Sequence, residues 1–131
     1  MDKKLEIPSK LENLCYIEKL IDEVAENINL GTDLYGKVLI STIEAVNNSI
    51  IHGNKLQPDK MVNVRVNYSE SELHIQVSDE GPGFNFYNIP DPTKPENIEN
   101  IHGRGIFLMK NLADDVLFTD EGKSVELIFK I

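Results

Sequence analysis

Hydrophobic residues recur at helical spacing in two segments of the first half of the chain. From Lys10 onward, apolar positions fall three or four residues apart, and Ser9 and Gly31 have the residue types that cap and stop helices, so we expect a helix of about 20 residues. A second helix enters near Asp33 and leaves at Gly53. Its apolar stripe consists of Leu39, Ile43, Val46 and Ile50.

Alternation of apolar and polar residues predicts the strands. Lys3–Pro8 suits a short edge strand that its terminal proline ends. Val62–Val66 and Leu73–Val77 each alternate and are joined by S-E-S-E, which predicts an antiparallel hairpin with one buried face. A last pair of strands is predicted over Val116–Phe118 and Val125–Ile131, with D-E-G-K as the turn.

Two polar residues interrupt a second column on the central helix, where Glu44 and Asn48 stand between Ile40 and Ile51. Glu44 is the only charged residue between Val38 and His52, so this helix should be largely covered by the rest of the protein. A carboxylate and an amide buried there cost several kcal/mol, roughly, unless they find partners. A metal ion or a ligand could satisfy them, and so could neighbouring backbone groups or water.

Two glycine-containing segments follow the hairpin. D-E-G-P-G-F, at Asp79–Phe84, closes a strand with an abrupt change of direction, and Gly103–Gly105 opens a short helix. Glycines at a helix start let exposed N–H groups and the helix dipole approach phosphates. Between the two segments, Asn85–His102 has three prolines and no clear period, which is typical of a lid.

Composition narrows the classes of function. The 131 residues fit one domain over residues 1–131, and a formal charge of −9 disfavours nucleic acid and anionic membranes as partners. The amino terminus lacks the apolar core of a signal peptide and no apolar run is long enough to cross a membrane, so we expect a cytoplasmic protein. Cys15 is the only cysteine and is expected to be a core thiol.

Three motifs in this order resemble the signature of a known superfamily. E-A-V-N-N-S-I-I-H-G-N, D-E-G-P-G-F and G-R-G-I-F-L-M are similar to the N, G1 and G2 boxes of the GHKL ATPases, and most similar to those of the small anti-sigma factor serine/threonine kinases. The resemblance implies the Bergerat-type ATP-binding fold. This fold is α+β, a two-layer α/β sandwich in which helices cover a mixed, mainly antiparallel sheet.

The resemblance also implies roles for single residues. Asn48 would bind Mg2+, Asp79 would accept the adenine amino proton of ATP, and Glu44 would be the general base. The glycines implied at the nucleotide are Gly81 and Gly83, which let adenine approach, and Gly103 and Gly105, which close the lid on the phosphates.

Cations are scarce where the phosphates should bind. Lys94 and Arg104 are the only ones from Asp79 through Gly105, and this departs from what phosphoryl transfer requires around the transferred group. Arg104 and Lys55 are candidates for phosphate contact, and both could equally be surface charges.

The function implied by the resemblance is that of an ATP-dependent serine/threonine kinase. Its protein substrate would be an anti-anti-sigma factor, and it would hold a sigma factor within a homodimeric complex. One alternative is a binding module that holds ATP and switches partners without transferring phosphate. The other is a detached histidine kinase ATPase domain, which we consider weaker because no dimerisation helices with an acceptor histidine precede the motifs.

Overall fold

The computed structural model describes residues 1–82 and 101–131 and, of residues 101–104, the backbone alone. It has two layers, a five-stranded sheet and a layer of helices that covers one face of it. The strands are β1 (Asp2–Pro8), β2 (Met61–Ser69), β3 (Glu72–Ser78), β4 (Asp115–Thr119) and β5 (Ser124–Lys130). The helices are α1 (Leu14–Ile28), α2 (Thr32–Asn48) and α3 (Ile101–Leu112). Within these described ranges, none of the helices is long and apolar enough to cross a membrane.

The sheet has the strand order β1-β2-β3-β5-β4, and each pair of neighbouring strands is antiparallel. The α+β sandwich expected from the sequence is confirmed. Glu70 and Ser71, with φ of 53° and 63°, form a two-residue turn between β2 and β3, and the alternation predicted for this hairpin holds on both strands. The predicted edge strand at the amino terminus is β1.

The limits of α1 differ from the prediction. The helix begins at Leu14 after a short 3-10 turn, and the Ser9 hydroxyl donates to the Lys60 carbonyl at 2.7 Å instead of capping it. It ends at Ile28, and the next residue, Asn29, adopts the left-handed conformation (φ 53°, ψ 49°) that often closes a helix. Gly31 caps the start of α2 instead of stopping α1.

The buried face of α2 is rotated from the predicted stripe. Leu39 and Ile43 are only partly buried, whereas Ser41 and Thr42 are fully buried. Both hydroxyls donate to the helix's own carbonyls four residues earlier, at 2.7 Å, so burying them leaves no donor unpaired. The buried residues are Val38, Ser41, Thr42, Ala45 and Val46.

The prediction for Cys15 was wrong, since this thiol is exposed. The face of α1 that enters the core is set by Ile17, Ile21 and Val24, each 0% exposed. Cys15 stands two residues before Ile17, on the other side of the helix.

Helix α3 begins at Ile101, so Gly103 and Gly105 lie within its first two turns and do not precede it. The sequence predicts that this helix begins at Gly103, and in the structure it begins two residues earlier. The predicted lid, Asn85–His102, falls mostly on residues 83–100, which lie outside the described residues.

Candidate active site at the end of the central helix

A small cavity of about 40 Å³ lies where the end of α2 meets β3, α3 and the β4–β5 turn. Sites for small molecules typically have volumes of about 300–1,000 Å³, so this one must widen to admit a nucleotide. Its lining includes Asn48, Ser49, His52, Gly53, Val77, Asp79, Ile106, Met109, Phe118, Gly122, Lys123 and Val125.

A π-helical turn, Ser49–Gly53, continues α2 and brings the chain against the end of β3. The Asn54 N–H donates to the Ser49 carbonyl at 2.7 Å, five residues back, which is the hydrogen bond of a π-turn. Gly53, the last residue of this turn, lies so close to the segment after β3 that an added Cβ would overlap the Asp79 carboxylate. A Cβ on Gly81 would overlap the Gly53 backbone itself, so this crossing requires glycine on both sides.

Asp79 is held by the groups around it. Its carboxylate accepts a hydrogen bond from the Gly81 N–H at 2.8 Å and another from the Ser49 hydroxyl, and its own N–H donates to the Lys123 carbonyl at 2.9 Å. Burial raises the pKa of the Asp79 carboxyl, and these two hydrogen bonds together with the charges of Lys123 and Lys60 oppose that rise. The result is a fixed, partly buried carboxylate at the cavity wall.

Glu44 and Asn48 lie one helical turn apart on α2, where α3 packs against them. A Cβ on Gly105 would stand 2.8 Å from a Glu44 carboxylate oxygen and 3.2 Å from the Asn48 amide nitrogen. That nitrogen is buried and has no hydrogen-bond partner within the described part of the chain. Burial raises the pKa of the Glu44 carboxyl. These two groups are therefore costly to keep here without a ligand.

The structure brings five of the sequence-predicted residues together: Asn48 and Asp79 line one cavity, Gly81 lies beside Asp79, and Gly105 lies beside Glu44 and Asn48. For the other predicted positions the structure describes less. Gly83 lies outside the described residues, and only the backbone is described for Gly103 and Arg104. Lys55 is exposed in the loop after the π-turn, with a left-handed φ of 52°.

Sequence reasoning missed Ser49 and Lys123. Ser49 continues the row of small buried residues formed by Ser41 and Ala45, four residues apart, and this row is a signal that the sequence contains. Lys123 reaches the site because β5 pairs with β3, a neighbour relation that local pattern does not reveal. His52 also lines the cavity, and burial lowers its pKa.

Comparison with known proteins identifies the family and the fold. The model of the histidine kinase-like ATPase domain matches residues 7–129. The serine-protein kinase RsbW of Bacillus cereus is 30% identical over 129 residues, which cover 93% of this chain and 80% of that protein. The RsbW of Listeria innocua is 29% identical, with 92% and 82% covered, and the anti-sigma F factor of Geobacillus stearothermophilus is 29% identical, with 89% and 82% covered.

Among solved structures, the histidine kinase domain of the blue-light activated histidine kinase of Erythrobacter litoralis EL346 superposes with a TM-score of 0.54 at 19% identity. The match covers 95% of this chain and 61% of that one, and at this identity it concerns the fold alone. With the family model matching nearly the whole chain, the protein belongs to the histidine kinase-like ATPase domain family, and within it to the anti-sigma factor serine kinases.

Proposed function

We propose that the protein is an ATP-dependent serine/threonine kinase that phosphorylates an anti-anti-sigma factor and sequesters a sigma factor. The relatives named serine-protein kinase RsbW and anti-sigma F factor support this assignment. One observation carries the proposal. Asn48 and Asp79 line one cavity at the end of α2, and Glu44 lies one turn earlier on the same helix.

Asp79 supplies nucleotide selectivity. A carboxylate accepts a hydrogen bond from the amino group of adenine, whereas guanine presents a carbonyl oxygen at the same position and is repelled. At the close crossing of Gly53 and Gly81, neither residue places a side chain beside this carboxylate. ATP is therefore preferred over GTP.

The phosphates bind at the other end of the site, beside Asn48. The buried Asn48 amide nitrogen has no partner among the described residues, and this fits a magnesium site. Turning the amide about its last bond exchanges nitrogen and oxygen, and an amide oxygen is a ligand that magnesium accepts. A magnesium ion, when bound with ATP, neutralises charge on the phosphates. Gly103, Arg104 and Gly105 lie in the first turns of α3, whose backbone N–H groups favour phosphate.

Glu44 acts as the general base. Its carboxyl, with a pKa raised by burial, accepts the proton of the substrate serine or threonine hydroxyl as the oxygen bonds to the γ-phosphorus and ADP leaves. A raised pKa brings a carboxylate nearer to the working pH, which improves it as a base. The protein works in the cytoplasm as a homodimer, with the anti-anti-sigma factor as substrate and the sigma factor as second partner.

Labelled ATP and the purified proteins encoded beside its gene test the proposal. We expect magnesium-dependent transfer of label to a serine or threonine of one small regulatory protein, as an acid-stable phosphoester. Acid-labile label on a histidine would contradict the proposal and favour a histidine kinase domain. Tight ATP binding with no transfer to any neighbour would favour the partner-switching module, which the scarcity of cations between Asp79 and Gly105 also favours.

A further inference from the structure

Asn54, directly after the π-helical turn, is the hub of a buried hydrogen-bond network. Its side chain is 1% exposed and joins three separate segments of the chain. The amide nitrogen donates to the Ser9 hydroxyl oxygen at 2.8 Å and to the Met61 carbonyl at 3.0 Å, and the amide oxygen accepts the Glu80 N–H at 2.8 Å. Both N–H groups of the amide and its oxygen are thus engaged.

The third of these hydrogen bonds holds the segment that carries Asp79. Glu80 lies between Asp79 and Gly81, so the Asn54 oxygen holds the peptide that links them. The Asp79 N–H is held independently by the Lys123 carbonyl at 2.9 Å. Together the two hydrogen bonds fix the segment at two successive N–H groups. Without the Asn54 oxygen, the Glu80 peptide would lose one of these two attachments.

We infer that Asn54 is a positioning residue that sets the orientation of the Asp79 carboxylate and through it the preference for adenine. The inference rests on the function proposed above. Hydrogen bonds weaken steeply with angle and with distance beyond about 3.2 Å, so a small shift of the Asp79 peptide costs selectivity without destroying the cavity. Asn54 does not line the cavity and acts only through the Glu80 peptide.

Ser9 provides a matched control, because it belongs to the same network on the side away from Asp79. Its hydroxyl accepts from Asn54 and donates to the Lys60 carbonyl at 2.7 Å, and it has 1% exposure, like Asn54. Ser9→Ala breaks the network but leaves the contact between Asn54 and Glu80. If Asn54 only stabilises the fold, the two alanine variants should affect nucleotide binding alike.

The test is calorimetric titration of folded wild type, Asn54→Ala and Ser9→Ala with ATP and with GTP. We expect Asn54→Ala to weaken ATP binding about tenfold and to lower the ratio of ATP to GTP affinity by a similar factor. This is about the size of one charge-assisted hydrogen bond, here the proposed bond between adenine and the Asp79 carboxylate. Ser9→Ala should keep both quantities within about twofold of wild type. The ratio is informative because both nucleotides carry the same triphosphate.

Two more variants keep the test decisive if Asn54→Ala does not fold. Asn54→Asp retains an oxygen for the Glu80 N–H and should keep the wild-type ratio of ATP to GTP affinity. Asn54→Ser has a side chain that is one atom shorter and does not reach the Glu80 N–H, so this ratio should fall. An equal ratio in all four variants would overturn the inference and leave the proposed function intact. Wild type that binds ATP no better than GTP would overturn the proposed function and the inference with it.

Discussion

The two ends of the candidate site are built in opposite ways. At the end proposed to bind adenine (the adenine end), the described hydrogen-bonding groups of Asp79 and Asn54 are engaged, and the backbones of Gly53 and Gly81 lie in close contact. At the end proposed to bind the phosphates (the phosphate end), the Asn48 amide nitrogen has no partner in the described residues, and burial raises the pKa of the Glu44 carboxyl. The adenine end is therefore pre-organised, and the phosphate end is held at an energetic cost.

The glycines at the two ends differ in what they contact, and this decides how far each end can adjust. A Cβ on Gly81 would meet backbone atoms, which cannot yield without moving β3 or the π-turn. A Cβ on Gly105 would meet the tips of the Glu44 and Asn48 side chains, which can turn aside. The adenine end therefore cannot adjust without moving backbone, whereas the phosphate end can adjust by turning side chains.

The largest effect is expected for Gly81→Ala. The overlap with the Gly53 backbone should lower the free energy of unfolding by about 4 kcal/mol or more, a loss typical of severe backbone or packing clashes. Denaturant unfolding measures it. The control is Gly36→Ala within α2, where an added Cβ meets nothing within 4 Å, and we expect it to stabilise the protein by about 0.5–1 kcal/mol. Equal stability of the two variants would contradict the rigid crossing.

Asp79→Asn should weaken ATP binding about 30- to 100-fold. The carboxylate that accepts from the adenine amino group is replaced by an amide, whose NH2 group can turn toward that amino group and cannot accept from it. The fold should remain stable, since this variant removes a carboxylate whose ionisation burial disfavours. Wild-type ATP affinity should fall as pH drops through the raised pKa of Asp79, and the variant should lack this dependence. Titration calorimetry from pH 7 downward, with Asp59→Asn as the surface control, measures both. Retained affinity in Asp79→Asn would exclude Asp79 from adenine recognition.

Gly105→Ala should cost only about 1 kcal/mol of stability without nucleotide, because the contacted atoms at 2.8 and 3.2 Å belong to flexible side-chain ends. Thermal unfolding with and without ATP separates this from an effect on binding. A loss as large as that of Gly81→Ala would show that the phosphate end is as rigid as the adenine end.

The smallest effect is expected away from the site, on the outer face of the sheet. His74 contacts Glu126 at 2.7 Å and Glu72 at 3.1 Å, and its hydrogen bond to Glu126 raises its pKa above the usual 6.5. A raised histidine pKa stabilises the fold below about pH 6.5, and the contribution is lost as pH rises through the folded-state pKa. His74→Gln should thus lose less than about 1 kcal/mol, and only at low pH. Unchanged ATP affinity should accompany this loss, and a change in affinity would connect this face to the site.

Local pattern predicted most of the fold. Alternation located the β2–β3 hairpin, and helical spacing located α1 and α2, because each element has one face in a single core. It failed where a different hydrogen bond replaced the expected contact. Ser41 and Thr42 appeared polar but bond to their own helix, and Ser9 bonds to the carbonyl of Lys60 instead of capping α1.

The site was only partly visible in the sequence. Motif resemblance identified Glu44, Asn48 and Asp79, and the structure places them at one helix end. The roles of Asn54 and Lys123 depend on contacts with segments distant in sequence, so no local spacing could indicate them. Long-range contacts of the Asn54 side-chain amide and of backbone groups define these parts of the site.

The most direct test of the central claim is the rate of single-turnover phosphoryl transfer measured against ATP concentration. In the proposed function, the adenine end provides nucleotide affinity and the phosphate end carries out the chemical step. For Glu44→Gln, the plateau rate of transfer to the protein substrate should fall about 10²- to 10⁴-fold, with the half-saturating ATP concentration within about twofold of wild type. Glu26→Gln, an exposed carboxylate on α1, should change neither. A Glu44→Gln variant with the wild-type plateau would contradict the account.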